Sequence, residues 1–133
     1  MTQLAVIDTH ALVWWAKQER RRLGRRARRM FERVDGGLAA LYVPTLVLDE
    51  LGELARRGII TLSGGLAGWS RALFSSGRYF PADLTVEVVL RAESLRGIPE
   101  PHDRLIAATA LLLGYPLVTK DARIAEAGVD VMW

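Results

Sequence analysis

Leu4-Ala5-Val6-Ile7 is apolar at every position and only four residues long, too short for a buried helix and without the alternation of a half-exposed strand. Such a run needs cover on both faces, which is the environment of a central strand in a parallel sheet. Asp8 closes it, and helical spacing begins at once. The second half of the chain repeats the arrangement: Leu117-Val118-Thr119 reads as a short strand, Lys120 and Asp121 leave it, and a short helical run ends at Gly128. In open parallel sheets the carboxyl ends of the strands face one edge, where ligands collect. Asp8 and Asp121 are therefore expected to share that edge.

The remaining pattern alternates on the same scale. Helices are predicted over about Ala11 to Lys17 and Arg25 to Val34, a strand over Leu38 to Val43, and a helix over about Leu46 to Arg57. An extended Gly58 to Leu62 follows, then a helix near Leu66 to Ser75, a short strand around Tyr79-Phe80, and a helix capped by Thr85 and running to Arg96. A helix over Leu105 to Leu113, the Leu117 strand, a short helix and a closing strand over Val129 to Met132 complete the order. Strands alternating with helices imply an α/β fold of three layers, with a mostly parallel central sheet of about five strands and helices on both faces. With 133 residues, half of them apolar, residues 1–133 make one domain able to bury a core.

Two further carboxylates stand out. Asp103 lies between the Pro-rich Ile98-Pro99-Glu100-Pro101-His102 and a strongly apolar run that ends at Gly114, which places it at a helix N-terminus. Glu50 falls within an apolar arc: at about 100° per residue, Leu46, Val47, Leu48, Leu51, Leu54 and Ala55 share one helix face, and Glu50 lies between Leu46 and Leu54. Asp49 and Glu53 fall on the polar face. A carboxylate turned inward has to be neutralised, paired or directed at a metal, because uncompensated burial costs several kcal/mol or more. Taken singly, Asp8, Asp103 and Asp121 read as helix caps and Glu50 as a snorkelling edge residue. Three strand-end or helix-start aspartates together with an inward glutamate exceed what capping explains.

Charge is unevenly placed. The net charge is +3, yet between Lys17 and Arg33 nine basic residues stand against Glu19 and Glu32. Spread around a helix these arginines cannot all point one way, so most form a solvated surface. Arg25, Arg26 and Arg29 are the candidates for a phosphate-binding rim, since arginines that neutralise phosphates gain affinity through counterion release. Trp14 and Trp15, at the end of the first helix, read as core or interface residues before they read as base-stacking platforms. Trp69, Leu73 and Phe74 have helical spacing and read as core or dimer surface. There is no cysteine, which excludes disulfides and thiolate chemistry and fits a reducing cytoplasm. His10 and His102 could act as general acids, but two histidines without cysteine supply a zinc site poorly. Carboxylate oxygens favour magnesium or manganese. No basic region precedes the first apolar run, and no apolar stretch approaches about 20 residues, so the expected location is cytoplasmic.

Asp8-Thr9-His10-Ala11-Leu12-Val13-Trp14-Trp15, then Glu50 eight residues before Gly58, then Pro101-His102-Asp103-Arg104-Leu105-Ile106-Ala107-Ala108, then Val118-Thr119-Lys120-Asp121 resemble the motifs of PIN-domain ribonucleases. Within that superfamily the chain most resembles VapC-like toxins of toxin-antitoxin pairs, in order over nearly its whole length. The resemblance implies that the acidic quartet is Asp8, Glu50, Asp103 and Asp121, with the Thr119 hydroxyl beside it. It also implies a homodimer, an antitoxin partner, an RNA substrate and no membrane association. Departures are Ile98, where relatives often carry a histidine, His102 before the third acid, and Asp49 before the glutamate.

The chemistry expected is Mg²⁺-dependent hydrolysis of RNA phosphodiesters, with Mn²⁺ a possible substitute, and the resemblance implies a 5′-phosphate product. Because Mg²⁺ keeps several waters and takes one or two carboxylates directly, Asp8 and Asp103 are the expected ligands, with Glu50 and Asp121 holding waters or a second ion. The competing readings are a non-catalytic PIN-like binding module and a receiver or phosphatase-like phosphoryl-transfer domain. The intact quartet argues against the first. Against the second stand a single acid after strand one and a second strand ending in Val43-Pro44.

Overall fold

The computed structural model describes residues 2–133. Five strands form one all-parallel sheet: β1 (Gln3–Ile7), β2 (Ala39–Pro44), β3 (Tyr79–Ala82), β4 (Leu117–Val118) and β5 (Val131–Met132), in the spatial order β3-β2-β1-β4-β5. Seven helices connect and cover them: α1 (Thr9–Ala16), α2 (Arg25–Asp35), α3 (Thr45–Arg56), α4 (Gly65–Ser75), α5 (Val86–Glu93), α6 (Pro101–Leu113) and α7 (Ala122–Glu126). The result is the expected three-layer α/β/α arrangement.

The apolar first run behaves as its composition demands. Ala5, Val6 and Ile7 are wholly inaccessible, flanked by Leu41 and Val43 of β2 on one side and Leu117 and Val118 of β4 on the other. The chain builds outward from β1 in one direction to β3, then returns to the other side of β1 for β4 and β5. The reversal falls between β1 and β4, and a crevice opens at such a switch point beyond the carboxyl ends of the strands.

Helix α2 shows how the basic run is accommodated. Ala27, Met30, Phe31 and Val34 recur at helical spacing and are buried, while Arg25, Arg26 and Arg29 face solvent. Element boundaries differ from the sequence reading where local chemistry decides. Leu38 is 59% exposed and precedes β2, because Gly37 turns the chain just before it. Thr85 caps α5 as expected, its Oγ1 accepting from the Val88 N–H at 3.2 Å, but the helix ends at Glu93. Asp103 is not the cap of α6. Glu100 takes that role, accepting from His102 N–H, and Pro101 opens the helix, which leaves the Asp103 carboxylate within the first turn and free of capping. Gly114, at φ 75°, closes α6 in the left-handed conformation that glycine adopts without strain.

Candidate active site

Asp8 is held between a strand and a helix. Its N–H donates to the Val118 carbonyl at 3.2 Å, carrying the β1–β4 pairing one residue past the strand, and its Oδ1 caps α1 by accepting from Ala11 N–H at 2.9 Å. The Thr119 hydroxyl donates a further hydrogen bond to it. Burial nevertheless pushes its carboxyl up to about 6, with the charge of Asp103 adding to the rise and the two hydrogen bonds and His10 opposing it. Thr119 is 1% exposed, and its Oγ1 also accepts from Asp121 N–H at 3.2 Å. One hydroxyl thus fixes the carboxylate after β1 and the backbone after β4 together.

Asp103, in the first turn of α6, is also raised above the ordinary carboxylate range, first by burial and then by Asp121, Glu100 and Glu50, with Arg123 acting in the opposite sense. Asp121 caps α7 by accepting from Arg123 N–H at 2.9 Å. The Arg123 guanidinium grips it as a fork, Nε to Oδ1 at 3.2 Å and Nη2 to Oδ2 at 3.3 Å, and this holds the Asp121 carboxyl below its usual range. Asp8, Asp103, Thr119 and Asp121 line one cavity of about 600 Å³.

Glu50 sits at the margin of the buried stripe of α3, which is formed by Val47, Leu51 and Gly52, and its side chain is 27% exposed. It accepts from Thr9 Oγ1 at 2.7 Å, and His102 Nδ1 lies 3.8 Å from its other oxygen. It opens into an adjoining cavity of about 290 Å³, and His10 lines both spaces. The quartet is thus three acids in one cavity and Glu50 next door, within electrostatic reach of Asp103. Thr9 was not legible as a partner of Glu50: a threonine after a strand-end aspartate carries no signal of where its hydroxyl goes.

The basic rim differs from the sequence expectation. Arg25, Arg26 and Arg29 lie on the exposed face of α2 and none lines the cavity; Arg26 reaches the Val131 carbonyl with Nη1 at 3.4 Å. Arg22, Lys120 and Arg123 line it instead, together with His10, Trp14 and Trp133. Arg22 belongs to the same arginine run, and which member of the run lines the cavity depends on the fold.

Among the described residues no group of three or more His, Asp or Glu side chains is already arranged to cage a metal ion. The donor chemistry nonetheless fits a hard divalent cation that keeps much of its water. Asp8 and Asp103 are oxygen donors whose charge is disfavoured by burial and mutual repulsion, the condition a cation relieves.

The PIN domain family model matches residues 5–130. The chain is 34% identical over 121 residues to Ribonuclease VapC22 of Mycobacterium tuberculosis (strain ATCC 25618 / H37Rv), covering 90% of this chain and 88% of that protein. Similar solved structures include VapBC2 from Rickettsia felis bound to a DNA fragment from its promoter (TM-score 0.69, 14% identity, 97% of each chain). They also include FitAcB from Neisseria gonorrhoeae (TM-score 0.61, 16% identity, 97% of this chain and 96% of that one) and a toxin-antitoxin complex from Klebsiella pneumoniae (TM-score 0.59, 18% identity, 89% and 87%). With the family model, the sequence of a relative and the fold in agreement, this chain belongs to the PIN-domain family and is of the VapC type.

Proposed function

We propose that this protein is a metal-dependent endoribonuclease, the toxin of a toxin-antitoxin pair. The observation that carries the reading is the cavity at the β1–β4 switch point, with Asp8, Asp103 and Asp121 inside and Arg22, Lys120 and Arg123 among the residues that line it. An acidic interior attracts a cation and basic groups attract phosphate, so the same opening suits both partners of a phosphodiester hydrolysis.

Asp8 and Asp103 would hold Mg²⁺, or Mn²⁺ in its place, directly, and Glu50 and Asp121 would hold its waters. When bound, the ion supplies Lewis-acid stabilisation of charge on the phosphoryl and leaving oxygens. The protein's own groups do the rest. Thr119 keeps Asp8 turned towards the cavity, the backbone N–H of Ala11 fixes the rotation of its carboxylate, and Thr9 does the same for Glu50. A carboxylate oxygen of the cluster accepts the proton of the attacking water. Arg22 and Lys120 bring the RNA backbone to the opening. An antitoxin partner, as in the toxin-antitoxin complex among the similar structures, would silence the site if it placed an arginine fork on these carboxylates, as Arg123 already does on Asp121.

The test is cleavage of transfer and ribosomal RNA by the purified chain with Mg²⁺ or with chelator. Asp8→Asn and, separately, Asp103→Asn are expected to lower the rate roughly a hundred-fold or more, as losing several kcal/mol of transition-state stabilisation implies. Parent-like rates in both variants, at equal purity and metal, would overturn the assignment.

A further inference from the structure

The two adjacent tryptophans of α1 part company. Trp15 stacks on Phe31 at 4.7 Å between centroids and 7° between planes, and so serves the core. Trp14 turns to the acidic cavity instead, where it meets Trp133 edge-on at 5.8 Å and His10 at 5.9 Å. The Arg22 guanidinium lies over the Trp14 ring, 4.4 Å from its centroid. Trp133 is held there by the backbone, since its carbonyl accepts from Arg26 N–H at 3.2 Å and Gly24 packs against it. A β-carbon at position 24 would come within 2.6 Å of the Trp133 ring, so only glycine leaves that ring where it is.

Trp14 and Trp133 each rest one side against the core. Ala11, Leu12 and Val13 already bury the inward face of α1, while Trp14 and Trp133 both remain partly accessible in the wall of a cavity whose interior holds three carboxylates. Flat aromatic faces and a planar cation beside a phosphate-processing centre are the groups on which unpaired bases stack, and they do so with little sequence demand.

We infer that Trp14, Trp133 and Arg22 form a subsite for the base of an unstacked RNA nucleotide next to the scissile phosphate. This rests on the ribonuclease reading and deepens it. A base lodged against the two indoles, with the Arg22 guanidinium turned to the base or to its phosphate, fixes the register in which the strand crosses the carboxylates. Such a subsite favours single-stranded loops over paired RNA, because a paired base has no free face to offer.

The test measures binding apart from cleavage. A fluorescein-labelled single-stranded RNA oligonucleotide is titrated by anisotropy in chelator, with a parallel series in which each nucleotide in turn is abasic. Trp14→Leu and Trp133→Leu are expected to weaken binding about ten-fold, the scale of one stacked base, and Trp14→Phe much less. One abasic position should weaken the parent by a similar factor and leave Trp14→Leu unaffected. Melting curves identify any variant that fails to fold, and Arg22→Met, at an exposed position, then supplies the same comparison. Equal abasic penalties in parent and Trp14→Leu would overturn the subsite. So would loss of antitoxin binding with RNA binding unchanged, which would make the wall a protein contact. If the abasic cycle behaves as expected but the parent cuts no RNA with Mg²⁺, the ribonuclease reading fails while the base subsite stands.

Discussion

Asp8 is charged at neutral pH against the preference of its surroundings, and this has a sign that can be measured. Its folded pKa of about 6 lies above the ordinary 3.8, so between those values the folded protein binds the proton more tightly than the unfolded chain. Stability from this group is fully present below about pH 4 and is lost as pH rises through 6, by up to about 3 kcal/mol. In metal-free protein, Asp8→Asn should therefore gain stability over the parent as pH rises from 4 to 7. Denaturant melts at several pH values check this, and a parent-to-variant difference that stays flat would refute it. Glu50→Gln keeps an acceptor for Thr9 Oγ1. It should leave metal-free stability within about 0.5 kcal/mol while reducing the stabilisation that added Mg²⁺ gives. Asp49→Asn and Glu53→Gln, exposed residues that line the same smaller cavity but lack the hydrogen bond from Thr9, should change neither; a larger metal-linked effect at Glu53 would sink this assignment. That Asp8, Asp103 and Asp121 would gather was legible from strand ends and helix starts. Their companions Thr9, Trp133 and Arg123 were not, because their roles depend on where another segment arrives.

The elements themselves were legible because each obeys one period: uniform apolarity in β1, and a three-and-four spacing of buried residues in α2. Their ends were harder, since a cap such as Glu100 competes with Asp103 three residues on in the same Pro-rich segment, and only backbone geometry decides between them. The loop after β4 is fastened to the end of β1 by Thr119, whose hydroxyl contacts both Asp8 and the Asp121 N–H. Thr119→Val keeps the shape but removes both hydrogen bonds in a buried place, so it should cost about 1–3 kcal/mol in stability. A loss of activity of about ten-fold or more should accompany it. Thr119→Ser should restore most of both. Parent-like melting and turnover for the valine variant would show that the hydroxyl is dispensable.

At the scale of the whole molecule, the strand order could not be read from one chain, because it depends on which apolar runs pair, and with it went the position of the switch point. Among the described residues no helix is long and apolar enough to cross a membrane. The apolar surface expected around Trp15 and Trp69 is partly covered. Trp15 is stacked on Phe31 and Trp69 packs against the core, whereas Leu84, Val86, Val89 and Leu90 remain exposed, with Leu112 and Leu113 at the end of α6. If that surface joins two copies, Leu90→Glu should yield a monomer of parent-like stability by light scattering. A dimer that persists, or a parent that is monomeric, would reject it. The parallel pairing of β1 with β4 joins the first strand to one near the other end of the chain, Val6 opposite Leu117. During synthesis the ribosome releases Asp8 and Glu50 long before Asp103, β4 and Asp121. A nascent chain that has not yet reached β4 therefore lacks Asp121 and the strand that closes the cavity beside Asp8.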